Sequence, residues 1–342
     1  MNASEIRVGL IGAGGIVKQR HMPGLRSIEG VRIAAVANRR EETAQAFVRE
    51  WAPEARVESD WRAVAQAPDV DVVWIGAPPY LHRQAVCAAL AAGKHVFCQA
   101  RMAASLEDAA AMREAAASRP SQVAALCPAP HGMAARLWVK RSLAEGVLGR
   151  LIHADLRSWN GAYLDPSAPM HWRQDREISG IQVLTLGIYV EVLQDWLGAI
   201  QRVRSRGLTA TPMRSGRRVE IPDQVEVQAD FEAGLTASLS FSAIAAHAAM
   251  EELWLWGSEG TLHYDFTKEE ARLGGREGSM QTVVVPASEQ REWTVERDFI
   301  AAVRDAAAPR PRPDFEEGWR YMRVVDAVDR GRTSSLWEEV GG

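Results

Sequence analysis

At 342 residues the chain is long enough for two domains and a sizeable core. Hydrophobic residues make up 47% and charged residues 25%, and 40 basic against 44 acidic side chains leave a net charge of −4, which fits an ordinary globular protein and argues against a nucleic-acid or polyanion partner. No apolar run approaches the ~20 residues needed to span a bilayer and no signal peptide precedes the first strand, so a cytoplasmic protein with no membrane association is expected.

The first third alternates strand and helix. The run Ile6-Arg7-Val8-Gly9-Leu10-Ile11 ends in Gly12-Ala13-Gly14-Gly15-Ile16-Val17 and flows into a helical pattern. In such a turn Gly12 allows the tight corner and Gly14 lets the backbone approach a pyrophosphate. The amides opening the helix then face the anion with the positive end of the dipole. Val17 stands at the third glycine position, so the motif draws its weight from context: strand before, helix after, second strand at the right distance. Apolar runs at 8–11, 33–37, 71–75, 95–98 and 123–127 read as buried parallel strands. Alanine-rich stretches at 41–51, 84–92 and 106–117 read as helices, the last opened by a Ser105/Asp108 capping signature. Residues 1–128 are therefore expected to form a doubly wound Rossmann domain.

Where NAD-preferring domains end the second strand in a carboxylate for the ribose 2′-hydroxyl, this chain reads Asn38-Arg39-Arg40. Two guanidiniums suit a 2′-phosphate, which places NADP ahead of NAD; a solvent-facing helix start with NAD bound is the alternative. The three cysteines, Cys87, Cys98 and Cys127, fit neither a disulfide framework nor a zinc spacing, and Cys87 and Cys98 read as small core residues. No metal site is expected.

After Pro128 the character changes. A helix at 133–145 ends near Gly146 and Gly149, a long helix is expected at 178–197, and strand-like segments fall at 151–158, 202–208, 225–231, 236–242, 252–256 and 261–265. Helical patterns at 293–305 and 316–330 close the chain. Residues 129–342 are expected to form an α+β domain with a large, mainly antiparallel open sheet. The basic cluster Arg214, Arg217 and Arg218 reads as solvated loop charge. Between Tyr163 and Asp175 a proline-marked loop carries His171, a candidate acid/base, Trp172, a face for a sugar ring, and Arg173, a clamp for an anion. It reads equally as a connecting loop with a buried Trp anchor. Gln182, Thr185 and Tyr189 lie at i, i+3 and i+7 and would share one helix face. Such a polar stripe lines a cleft or is satisfied by backbone and water. Trp254 and Trp256 alternate onto one face of a strand, either core or subunit interface.

Several further motifs carry a resemblance. They are Asp71-Val72-Val73-Trp74-Ile75-Gly76-Ala77-Pro78-Pro79-Tyr80-Leu81-His82, the Gly93-Lys94-His95-Val96 run, Glu145-Gly146-Val147-Leu148-Gly149, and Asp298-Phe299-Ile300-Ala301-Ala302-Val303-Arg304. Together with the glycine turn, the chain resembles the glucose–fructose oxidoreductase / inositol dehydrogenase / MocA (Gfo/Idh/MocA) family nearly end to end. The resemblance implies a nicotinamide cofactor held by Gly12, Gly14, Gly15, Ile16, Asn38, Arg39, Arg40, Ala77, Pro78, His82 and Gln99. It also implies assembly as a homo-dimer or homo-tetramer through the C-terminal sheet. The family's catalytic groups are altered: Glu-Lys-Pro becomes Gln99-Ala100-Arg101, and the helix Asp and His become Thr185 and Tyr189. Tyrosine serves as an acid/base at that last place in some members.

The expected activity is an NAD(P)-dependent oxidoreductase acting on a sugar, polyol or related hydroxy/oxo compound. Tyr189 or His171 would handle the proton, and Arg101 and Arg173 would position substrate. Trp172, Gln182 and Thr185 would complete the binding surface. A redox-neutral glycosidase or lyase using transient oxidation, and a non-catalytic nucleotide-binding regulator, are the alternatives.

Overall fold

A computed structural model describes residues 5–341, which divide into two compact units. The first runs to Pro128 and takes back Thr294–Arg320; the second is Ala129–Trp293 with the chain from Tyr321 onward.

The first unit is built on β1 (Ile6–Ile11), β2 (Val31–Ala37), β3 (Arg56–Glu58), β4 (Val72–Ile75), β5 (His95–Cys98) and β6 (Ala124–Leu126). They pair in the order β3-β2-β1-β4-β5-β6, every pair parallel. Parallel strands covered on both faces read as unbroken apolar runs, and all four side chains of β4 are buried. Helices Glu41–Trp51, His82–Ala91 and Leu106–Ala117 supply the crossovers, and Ser105 Oγ caps the last by accepting the Asp108 amide at 3.1 Å. Trp74 stacks on Phe97 with centroids 3.7 Å apart, and Phe299 of the returning helix Val295–Arg304 meets both rings edge-on. The strand order reverses direction between β1 and β4, the switch point at which open α/β sheets bind ligands.

The second unit carries β7 (Leu151–Trp159), β8 (Ile200–Leu208), a two-strand ribbon of β9 (Met213–Arg214) and β10 (Arg217–Arg218), then β11 (Gln224–Phe231), β12 (Thr236–Ser242), β13 (Met250–Gly257), β14 (Gly260–Asp265), β15 (Glu270–Gly275), β16 (Gln281–Thr282) and β17 (Trp337–Glu339). Nine of them form one sheet in the order β16-β15-β14-β13-β7-β12-β11-β8-β17, antiparallel except for the parallel β7–β12 pair. Along β11, Val225, Val227, Ala229 and Phe231 are buried while Glu226 and Gln228 are exposed, the period of a sheet with one covered face. Helix Leu186–Leu197 buries Leu186, Tyr189, Val190, Leu193 and Trp196, and Tyr189 reaches Phe241 of β12. Trp254 and Trp256 stand on the opposite, outer face of β13, stacked at 6.0 Å.

Three expectations are corrected. The helix read at 178–197 is two: Arg176–Ser179 stops at Gly180 (φ 64), the chain passes Leu184 at φ 46, and the helix resumes at Leu186. Gln182, Thr185 and Tyr189 therefore do not share one helix face. The helix read at 133–145 begins only at Arg136, because Gly132 (φ 70) turns the chain while the Glu269 carboxylate accepts the amides of Gly132 and Ala134 at 3.0 and 3.3 Å. Arg214 is not solvated: it is 2% exposed and its guanidinium donates to the carbonyls of Asp165, Ala168 and Tyr163 at 2.6, 3.1 and 2.7 Å. Arg217 and Arg218 are exposed. Among the described residues no helix is long and apolar enough to cross a membrane.

Candidate active site

At the β1–β4 switch point the backbones nearly touch. Gly12 has φ 86, and a Cβ there would stand 2.4 Å from the Ala77 nitrogen. A Cβ on Gly76 would lie 2.4 Å from Val17 and 2.5 Å from the Gly12 carbonyl. Both positions need glycine. Gly14 and Gly15 differ: a Cβ on either meets no other protein atom within 4 Å. The turn is thus closed toward the sheet and open on its outer side, a cradle with room for a ligand backbone. Helix begins at Gly15 and runs to Arg26 through a π-turn, Val17–His21. Its first amides have no carbonyl a turn behind them and carry the positive end of the dipole, which suits a pyrophosphate. Ile16 is exposed beside them. Asn38 Oδ1 accepts the Ala13 amide at 2.7 Å and its amide donates to Thr43 Oγ1 at 3.1 Å, so the end of β2 braces the turn. Arg39 and Arg40 are exposed, with no carboxylate paired to either among the described residues.

The loops after β4 and β5 are pinned from below. His82 is fully buried between the carbonyls of Met102 (2.8 Å) and Ala77 (2.6 Å), which holds Ala77 and Pro78 in place. Burial keeps its pKa below the usual histidine value, and the neighbouring Arg101 adds to that. Arg101 is itself 6% exposed, so it lies against the loop rather than reaching outward. The Ala100–Arg101 peptide is cis. Gln99 Oε1 lies 2.8 Å from His21 Nε2, and His21 Nδ1 lies 2.5 Å from Glu296 Oε1. His21 and Glu296 are buried, which fixes Gln99 from the π-turn on one side and the returning helix on the other.

In the second unit Tyr189 is fully buried among His131 and Phe266, each with ring centroid 5.0 Å away, and Phe241 at 6.1 Å. Its hydroxyl makes no hydrogen bond of ordinary geometry. Its polar neighbours are the Glu251 carboxylate and the Ser158 hydroxyl. Burial first, then Glu251, pushes the phenol far above its usual range, so it holds its proton. Glu251 is held below the usual glutamate range by His131, whose Nε2 lies 3.5 Å from Glu251 Oε2. Ser158 Oγ lies 3.4 Å from Glu251 Oε1 and 2.9 Å from Thr185 Oγ1. The register explains the group: Glu251 sits directly opposite Ser158 across β13 and β7. Both alternate onto the covered face with Leu253, Leu255, Leu156 and Ala154. Gln182 is buried with Nε2 2.9 Å from Met322 Sδ.

The loop from Tyr163 to Asp175 is anchored from within. Gln174 donates to Asp223 at 2.8 Å, Asp175 pairs with Arg217 at 2.8 Å, and Arg214 holds the three carbonyls named above. His171 and Arg173 face outward, Trp172 is half-buried, and the Arg173 guanidinium sits 4.2 Å over the Trp172 ring. One face of that indole is already covered. Partial burial and Arg173 hold the His171 pKa below its usual value.

The first unit brings its expected residues to one end of its sheet; in the second, Ser158 links Thr185 to Tyr189, while His171, Trp172 and Arg173 group on their own loop. Glu251, Ser158, His131 and Glu296 join them unannounced; His21, read from the sequence as a closure of the cofactor loop, lies between Gln99 and Glu296. A parallel sheet of this order with an open glycine cradle at its switch point defines a Rossmann domain of the NAD-binding kind, here joined to a separate sheet unit. Residues 6–126 match the family model described as an oxidoreductase family with an NAD-binding Rossmann fold, and residues 137–263 match the GFO/IDH/MocA C-terminal domain. The chain belongs to the Gfo/Idh/MocA oxidoreductase family. It is 24% identical to a levoglucosan dehydrogenase of Pseudarthrobacter phenanthrenivorans over 82% of this chain and 83% of that one. It is 27% identical to a dTDP-3,4-didehydro-2,6-dideoxy-α-D-glucose 3-reductase of Actinomadura kijaniata over 96% of each. A levoglucosan dehydrogenase solved with NADH and levoglucosan has the same fold, with TM-score 0.87 and 21% identity over 99% of this chain and 100% of that one.

Proposed function

We propose that the protein is an NADP-dependent oxidoreductase interconverting a secondary alcohol and a ketone on a sugar, polyol or sugar derivative. The observation that carries the reading is the cradle at Gly14 and Gly15, open to a ligand and backed by a helix start, in a chain of this family. The dinucleotide supplies the hydride acceptor or donor. Gly14, Gly15, Ile16 and the first helix amides hold its pyrophosphate, and Arg39 and Arg40, exposed and paired with no carboxylate among the described residues, pair with a 2′-phosphate. Asn38 steadies the turn. His82 fixes the Ala77–Pro78 loop, and the Glu296–His21 pair sets the Gln99 side chain.

Tyr189 donates its proton to the substrate oxygen during reduction and receives one back during oxidation. Its orphaned, protonated hydroxyl is suited to that task. Trp172 and Arg173 recognise the substrate, with His171 beside them. Thr185 acts through Ser158, and Arg101 lends positive charge to the loop after β5. Among the relatives, sugar substrates appear in the names of a levoglucosan dehydrogenase and a 1,5-anhydro-D-fructose reductase, which supports the substrate class. The test is titration with NADP and NAD, followed by nicotinamide absorbance against a panel of sugars and polyols. Clear NAD preference would overturn the cofactor choice.

A second reading is favoured by Ala100, which offers no side-chain donor where the family lysine stands. It is a redox-neutral glycosidase or lyase that oxidises and re-reduces its substrate within one turnover. Product release without net nicotinamide reduction separates the two. The three free thiols suit a cytoplasmic setting, and the outward Trp254–Trp256 stack suits self-association through the sheet.

A further inference from the structure

The family's aspartate is absent at Thr185, yet the second unit still brings a carboxylate to the acid/base residue, from a strand instead of the helix. We propose that Glu251, with His131 as its neighbour, forms a proton relay for Tyr189, taking over from β13 the part that a helix carboxylate plays elsewhere. The proposal rests on the oxidoreductase reading above.

Four observations place the relay. Glu251 points to the covered face of the sheet, by parity with Leu253 and Leu255. It is a polar neighbour of the Tyr189 hydroxyl, which is buried and makes no hydrogen bond of ordinary geometry. Ser158, directly across the ladder, holds one carboxylate oxygen at 3.4 Å and ties it to Thr185. The other oxygen faces His131 Nε2 at 3.5 Å, and the Glu251 side chain is itself 26% exposed, which opens the carboxylate to solvent. The remaining charged group near Tyr189 is Glu269, whose carboxylate is occupied by the Tyr264 hydroxyl at 2.8 Å and by two backbone amides.

The balance closes. In the oxidation direction the substrate hydroxyl passes its proton to Tyr189 Oη as the Tyr189 proton passes to Glu251. A bound oxidised nicotinamide would supply the acceptor for the C–H hydrogen and its electron pair, so that the alcohol carbon would end as a carbonyl. Glu251, which is partly exposed, then hands the proton directly to water. In reduction every transfer reverses. A carboxylate that His131 keeps ionised is the acceptor such a step needs, since a phenol that holds its proton cannot serve as a resting base.

The test uses the full chain in two arms. In cofactor-free protein labelled with 13C at glutamate carboxyls, the Glu251 signal is assigned by its loss in Glu251→Gln. It should titrate below the ordinary glutamate range and move upward in His131→Gln. A Glu251 titration that is ordinary, or indifferent to His131→Gln, overturns the relay without reference to turnover. In the second arm, Glu251→Gln should lower kcat by on the order of 10²-fold and abolish the acidic limb of the pH profile. Its dinucleotide affinity and thermal stability should stay near those of the parent. A Glu251→Gln enzyme that keeps kcat and the acidic limb overturns the relay while leaving the oxidoreductase intact. An unmutated chain that binds dinucleotide and oxidises no sugar overturns the oxidoreductase reading itself.

Discussion

Gly14→Ala separates folding from cofactor binding at a single methyl group. Gly14 lies outside the left-handed region, and an added Cβ meets no other protein atom within 4 Å. The substitution costs the fold nothing and removes freedom from the unfolded chain, worth about 0.4–1 kcal/mol of added stability, or a rise in Tm of ~1–4 °C. The same methyl occupies the space assigned to the pyrophosphate. Crowding a close-packed contact costs about 1–3 kcal/mol, which is a roughly 5- to 150-fold weaker Kd. Gly12→Ala is the contrast. At φ 86 its Cβ would stand 2.4 Å from the Ala77 backbone nitrogen, which cannot swing aside. It adds a left-handed penalty of about 1–2 kcal/mol to that clash and lowers Tm. Calorimetric unfolding and fluorescence titration with NADP and NAD, run on both variants, check the pair. A Gly14→Ala protein that binds dinucleotide as well as the parent, or that unfolds as readily as Gly12→Ala, would refute the reasoning.

Arg39→Ala and Arg40→Ala should weaken NADP binding about tenfold or more, at ~1.5–3 kcal/mol for a charge-assisted bond, and leave NAD binding unchanged in the same titration. Arg214→Ala leaves the carbonyls of Tyr163, Asp165 and Ala168 without their donor; it should cost at least about 2 kcal/mol and admit protease into the loop carrying His171 and Trp172, and Arg214→Lys should not restore protection because an ammonium lacks the planar fork. Burial pushes the Asp265 carboxyl up, but hydrogen bonds from Lys268, Thr267 and their amides prevail and hold it down at about 2. Because the folded value lies below the unfolded one of about 3.9, Asp265 contributes stability above that pH and loses it as pH falls through the folded value. In chemical denaturation, Asp265→Asn should be destabilised at pH 7, and the difference from the parent should shrink as pH falls from about 4 toward 2.

The first unit was readable because local demands coincide with the fold. Its strands are covered on both faces and so are continuous apolar runs, and Gly12 is required by a corner that no side chain can turn. The Ser105 cap is written within four residues of the helix it opens. The second unit hid its chemistry in long-range register. Reading its strand as 252–256 left Glu251 outside, whereas β13 starts at Met250 and parity with Leu253 turns Glu251 inward. Ser158 meets it only through pairing with a strand 93 residues away. The helix read through 178–197 looked continuous because Ile181 and Val183 keep the apolar pattern across Gly180 and Leu184. The break falls at Gly180 and Leu184, and between them Gln182 contacts Met322, 140 residues on. His21 and Glu296 are 275 residues apart, and neither alone signals the other. The Arg214 cluster looked solvated for the same reason: its carbonyl partners lie some 50 residues earlier and carry no side-chain signal.

The measurement closest to the central claim is the stoichiometry of nicotinamide reduction during sugar turnover, in the unmutated protein and in Tyr189→Phe. An oxidoreductase whose proton passes through Tyr189 yields one reduced nicotinamide for each sugar oxidised, and Tyr189→Phe binds the dinucleotide as before but loses turnover by on the order of 10²-fold. Sugar conversion without accumulation of reduced nicotinamide, or a Tyr189→Phe enzyme with undiminished turnover, would contradict the account.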